Sequence, residues 1–322
     1  MYKVIFADKK ETKTHKDVYA EAIMEMSESH PELIYLDADL MNSSGTYKFW
    51  RENPDKAINV GIAEANMMGI AAGLSAAGRV PYVHTFGPFA TRRCFDQVFM
   101  SIGYAGNSVR IYGSDAGVSA AFNGGTHMPF EDMALMRAVP ESAVFDVADG
   151  VQLGWLLREV FDRKGVTYFR SARNGFYEIY EEGSTFEIGK ANLVREGTDI
   201  TVIATGLMLR EALVAAQELE EEDGVSVRVV DMFCVKPVDK EMVWKCAEET
   251  GAIVTAENHN VIGGLGDAVA AALLEKHGVP FYKHGVQDRF GQVGPQEYLQ
   301  EVYGLTAEAL KESIRETLKR KE

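Results

Sequence analysis

GIAEANMMGIAAGLSAAGRVPYVHTF, residues 61–86, decides the reading of the whole chain. Positions 62–77 carry apolar and small side chains on every side, the pattern of a helix buried all round. Gly61, Gly69, Gly73 and Gly78 would let such a helix pack closely on a neighbouring backbone. VPYVHTF at 80–86 then reads as a strand. A helix feeding an apolar strand is the repeating unit of a mainly parallel sheet covered on both faces. Working outward, 17–27 reads as an amphipathic helix and LIYLDAD at 33–39 as a buried strand. Downstream, the pattern predicts a helix over 89–103, a strand at 108–114 and a short helix at 130–138. A strand at 142–149, a helix at 151–163 and a strand at 166–171 complete this unit.

The polar, turn-rich stretch 174–198 interrupts the alternation, and a second alternating unit follows. Its strands fall at 200–206, 225–232, 252–258 and 279–285, with helices running to about 221 and from about 238 and 264. The fold class is α/β in two consecutive domains, 1–190 and 191–322, each a mainly parallel sheet flanked by helices.

Net charge is −15 over 322 residues, which argues against nucleic acid but not against small phosphorylated ligands. Cys94, Cys234 and Cys246 form no CxxC pair, so neither a disulfide framework nor a zinc site is indicated. A reducing compartment, the cytoplasm, is the simplest setting. The charged N-terminus is not read as a signal peptide, and no apolar run reaches the roughly 18 residues of a spanning helix.

Four segments carry residue types suited to chemistry. Glu64 is an acid at the head of an apolar helix; taken alone, it reads as a carboxylate favoured by the helix dipole. Phe86 and Phe89, three apart after a strand, suit either ordinary core or a slot for a flat heterocycle. His127, in a glycine-rich loop just before Pro129, is either structural or able to polarise a carbonyl. Arg170 and Arg173 end a strand, where α/β sheets bind ligands, although surface salt bridges are the simpler alternative.

In this order and spacing, GIAEANMMGIAAGL, HTFGPFATRRCFDQV, SDAG…NGGTHMPFEDMALMRAVP and SAR resemble the pyrimidine-binding domain of the transketolase family. AENHNVIGGLGDAVA at 256–270 resembles that family's C-terminal domain. The resemblance covers nearly the whole chain. It implies thiamine diphosphate as cofactor, with Glu64 hydrogen-bonding the pyrimidine nitrogen and so favouring the imino form that deprotonates the thiazolium carbon. It implies Phe86 and Phe89 packing on the pyrimidine, Leu40 touching the cofactor, and Asp39 ordering the Leu40 loop. His127 meets substrate oxygens and Arg173 the substrate phosphate. Ser43 and Lys16 fall near further phosphate-side positions.

The chain departs from the family at three points. Asn123 stands where an acid often precedes the histidine by four residues. A second active-site histidine is replaced near Ser114, and Lys16 stands where arginine is frequent. The family's Gly-Asp-Gly motif, which holds Mg2+ and diphosphate, has no counterpart here. A separate N-terminal-half partner is therefore expected to hold them, in a two-fold assembly of pairs.

The leading expectation is two-carbon ketol transfer between sugar phosphates, as in pentose phosphate metabolism. The alternatives are another thiamine diphosphate enzyme's beta subunit (2-oxo-acid dehydrogenase or deoxyxylulose-phosphate synthase-like) or a non-catalytic assembly subunit. Glu257, Asn258 and His259 look catalytic by composition but are expected to be structural.

Overall fold

The computed structural model describes residues 1–172 and 177–321. Among the described residues, twelve strands form two sheets: β1 (Leu33–Asp37), β2 (Ala57–Asn59), β3 (Val80–Phe86), β4 (Val109–Ser114), β5 (Ala143–Asp146), β6 (Val166–Ser171), β7 (Asn192–Arg195), β8 (Ile200–Ala204), β9 (Val227–Asp231), β10 (Cys234–Lys236), β11 (Ile253–Asn260) and β12 (Phe281–Val286). The first sheet has the order β10-β5-β6-β4-β3-β1-β2 and the second β12-β11-β8-β9-β7. Both are parallel except at one edge, where β10 and β7 run antiparallel to their neighbours. β4, β5 and β6 are buried at every residue, as strands covered by helices on both faces must be.

Local chemistry sets the ends. The helix His15–Ser29 starts where Thr14 and Asp17 form a capping box, two residues earlier than the apolar periodicity alone places it. The stretch 89–103 is not one helix. It splits into Gly87–Ala90, a 3₁₀ turn Arg92–Cys94 and a wide π-type turn Gln97–Tyr104, because Thr91 takes non-helical angles of φ −118° and ψ −91°.

The helix Glu64–Ala76 also departs from expectation. It buries Glu64, Met67, Met68, Ala71 and Ala72, but Asn66, Gly69, Gly73 and Ala76 are exposed. A side chain added at Gly61, Gly69, Gly73 or Gly78 would meet nothing within 4 Å. The apolar surplus therefore makes a second, open face rather than a helix enclosed by its own chain. Ile62 at its head is 76% exposed, as are Met100 and Tyr104 (46% and 81%) on the π-type turn packed alongside.

The two units interlock. Although it follows the break in sequence, β10 pairs with β5 of the first sheet, where Phe233 stacks on Phe145 with ring centroids 6.1 Å apart. Gly117 (φ +51°) lies so close to Asn258 that an added Cβ would sit 2.1 Å from its Oδ1. That Oδ1 accepts from Val118 N at 3.0 Å while Nδ2 donates to Ala116 O at 3.0 Å.

Candidate active site

The C-terminal edge of the first sheet carries most of the singled-out residues. β3 ends on Phe86 and turns into Gly87–Ala90. A Cβ on Gly87 would come 2.6 Å from Pro129 Cγ, so glycine lets this turn lie directly on the segment after His127. Phe86 and Phe89 consequently face each other at 6.2 Å. His127 meets both edge-to-face, at 5.7 Å and 5.0 Å. Phe86 is buried, while Phe89 and His127 are half-buried. Thr126 Oγ1 lies 2.9 Å from His127 Nδ1, and Arg92 braces this loop by donating to Thr126 O at 2.8 Å.

Glu64 is 3% exposed and occupies the first turn of its helix. Arg93 Nη1 donates to its Oε1 at 2.8 Å, and the same guanidinium lies 3.7 Å from the centroid of Phe89. Arg93 thus links the carboxylate to the aromatic cluster. Cys94 lies below it: burial, reinforced by the Glu64 charge, pushes its thiol up to about 12, which leaves it protonated and inert.

Leu40, Ser43 and Lys16 form a second group at the edge beside β1. Leu40 N donates to Asp37 Oδ1, Ser43 N donates to Leu40 O at 2.7 Å, and Asp39 (φ +65°) is paired with Asn59 Nδ2 at 3.1 Å. A Cβ on Gly45 would touch the Lys16 stem at 3.1 Å, so Lys16 lies along the same turn. Beneath runs a buried polar relay that residue types alone did not single out. His84 Nδ1 meets Asp37 Oδ2 at 2.7 Å, and Nε2 meets Ser114 Oγ at 3.0 Å. Tyr35 OH donates to Asp37 Oδ2 at 2.6 Å. The parallel register Asp37↔His84 and Phe86↔Ser114 builds this relay. A histidine directly before the Thr-Phe end of β3 was its only sign in the sequence.

Asn123 is exposed at the end of the turn Gly117–Asn123, on the loop that leads to His127. Arg173 lies outside the described residues. Arg170 is not free to bind phosphate as its place at a strand end suggested. It is fully buried, bonded to Asp132 Oδ1 at 2.9 Å, Asp146 Oδ2 at 3.0 Å and Asn258 O at 3.1 Å. Glu257 and His259 are buried beside it. Burial pushes Glu257 up to about 7, although Leu265 N and Gly266 N donate to it at 2.7 and 2.8 Å. Burial holds His259 down at about 4, so its ring is neutral at pH 7. This cluster joins the two sheets.

Comparison with known proteins agrees with this architecture. Residues 11–177 match the transketolase pyrimidine binding domain, and residues 189–310 match the transketolase C-terminal domain. The 6-deoxy-6-sulfo-D-fructose transketolase subunit SqwH of Clostridium sp. (strain MSTE9) is 44% identical over 306 residues, 95% of each chain. Human transketolase is 34% identical over 304 residues, which are 93% of this chain but only 48% of that protein. A solved split-gene transketolase, described as an inactive beta4 tetramer, superposes with a TM-score of 0.87 at 39% identity, covering 96% of this chain and 99% of that one. The chain belongs to the transketolase family and corresponds to the C-terminal half of its longer members.

Proposed function

We propose that this chain supplies the pyrimidine half of a thiamine diphosphate-dependent ketol-transfer site, completed by a separate chain that holds diphosphate and Mg2+. The observation that carries the reading is the convergence of Phe86, Phe89 and His127, with Glu64 tied to Phe89 through Arg93. A flat ring with one hydrogen-bonding edge fits such residues: an aromatic wall for its face and a carboxylate for a ring nitrogen. Glu64 would hold that nitrogen, Phe86 and Phe89 would pack on the ring, and Leu40 would touch it. When bound, thiamine diphosphate supplies the electron sink for cleaving the bond beside a ketone.

The chain's own residues then handle substrate. His127, half-buried at the rim, donates to or accepts from the sugar's oxygens near the carbonyl. Asn123, on the same loop, offers a neutral amide that both donates and accepts. Lys16, Ser43 and Arg173 serve the anionic end of the sugar. The relative acting on 6-deoxy-6-sulfo-D-fructose widens that end from phosphate to sulfonate. Both present tetrahedral oxygens, and a lysine reads either as a point charge.

The open face of helix Glu64–Ala76, with Ile62, Met100 and Tyr104 exposed around it, is the surface for assembly. The solved split-gene relative is an inactive beta4 tetramer, which supports self-association of the chain without a partner. The test is a calorimetric titration of thiamine diphosphate with Mg2+ into the chain alone and into the chain with its partner half. Binding in the complex only, followed by ketol transfer from a ketose phosphate or sulfonate, is the expected result. Binding and turnover by the chain alone would overturn the shared site.

A further inference from the structure

Arg93 makes two contacts at the head of the helix Glu64–Ala76. Its side chain is 43% exposed, yet it reaches the buried carboxylate of Glu64 at 2.8 Å and lies flat on Phe89 at 3.7 Å. Among the described residues Arg93 is the one side-chain hydrogen-bond partner Glu64 has. Because Arg93 Nη1 takes Oε1, it fixes the carboxylate's rotation about its last bond. The Phe89 stack in turn fixes the guanidinium, a planar group that a lysine would not reproduce. Arg93 also covers one face of Phe89. The 3₁₀ turn Arg92–Cys94, created by the break at Thr91, is what points Arg93 back over the aromatic pair.

We propose that Arg93 is a positioning residue for Glu64: it holds Oε1 and Phe89 together and leaves Oε2 as the oxygen offered to the cofactor's pyrimidine nitrogen. The proposal rests on the pyrimidine-site reading above. It assigns Arg93 no contact with substrate and no proton to carry. Its effect is on how well Glu64 promotes loss of the proton from the thiazolium carbon.

The test uses the chain assembled with its partner half and loaded with thiamine diphosphate and Mg2+. The readout is hydrogen–deuterium exchange at the thiazolium C2 of bound cofactor, which needs no substrate. Cofactor affinity and thermal melting are measured alongside. Arg93→Met is expected to slow exchange roughly ten- to a hundredfold, the scale of a misplaced catalytic group. Melting should fall, because Glu64 loses its partner cation, so exchange is read well below the transition, and affinity should fall much less than the exchange rate. Arg93→Lys, which keeps charge and a donor but not the planar stack, is expected to fall between the two. Wild-type exchange rates in Arg93→Met overturn the proposal, even if affinity and stability drop, because the role would then be structural. If the wild-type complex itself does not accelerate exchange, the pyrimidine-site reading falls and this proposal with it.

Discussion

Replacing Arg170 with methionine separates two uses of an arginine at a strand end. Arg170 is completely buried between Asp132 and Asp146 at 2.9 and 3.0 Å, with Asn258 O at 3.1 Å. Methionine fills much of the volume but leaves two buried carboxylates without a cation. Breaking a buried pair this way costs about 3–5 kcal/mol. If the 322-residue chain melts as one unit, an unfolding entropy of about 2.1 cal/mol/K per residue makes each kcal/mol worth about 1.5 °C, a drop of roughly 4–7 °C in Tm. The loss should depend on pH. Burial already raises Asp146 even with Arg170 present, and removing the cation raises it further. An acid whose folded pKa lies above its unfolded value makes the folded state bind more protons, so stability falls as pH rises through that window. Arg170→Met should therefore lie closer to wild type at pH 5 than at pH 8 in scanning calorimetry. KM for the sugar substrate, measured below the melting transition, should be unchanged. A variant that melts with wild type at both pH values while KM rises would refute the structural assignment and return Arg170 to the substrate.

Glu64→Gln should abolish turnover while leaving assembly with the partner intact, as read by size-exclusion chromatography beside a ketol-transfer assay. Unchanged turnover would remove Glu64 from the mechanism. Gly87→Ala places a methyl 2.6 Å from Pro129 Cγ, so it should cost about 1–3 kcal/mol by overpacking. It should also lower kcat roughly ten- to a hundredfold by shifting the His127 loop from the phenylalanines, and full activity would show that this contact does not set the site. Asp231 accepts from Tyr180, Gln152 and Asn192 at 2.6, 2.8 and 3.1 Å, yet burial pushes it from 3.8 up to about 6. Its raised pKa gives stability that is present in acid and lost as pH rises from about 4 to 6, worth roughly 3 kcal/mol. Asp231→Asn should flatten that slope in a pH series of denaturant melts, and an unchanged slope would assign it to another group.

How far the sequence could be read depended on whether a residue's partner lies nearby along the chain. β3, β4 and β6 were legible because a strand buried on both faces announces itself in its own residues. β10 was not, because three residues carry no periodicity and its partner β5 lies some ninety positions earlier. Arg170 was misleading for the same reason. An arginine at a strand's end looks alike whether it meets phosphate or two aspartates, and Asp132 and Asp146 become its partners only through the packing of β5, β6 and the helix Asp132–Ala138. Arg93 gave no local sign, since its direction follows from the angles of Thr91. Phe86, Phe89 and His127 were singled out by type and order, while their contact depends on the missing Cβ of Gly87. The helix Glu64–Ala76 is the most instructive case. Composition counts apolar side chains and cannot tell whether this chain's own atoms cover them, so an open apolar face reads as core. The expectation of a fully buried helix failed against this chain's own atoms because Gly69 and Gly73 have nothing near them. For an assembled protein the same residues make a surface on which a second backbone could approach closely, and that surface begins at Glu64. On this reading, the carboxylate of the cofactor site and the assembly face share one helix, so a change that loosens the assembly should also loosen the grip on the cofactor.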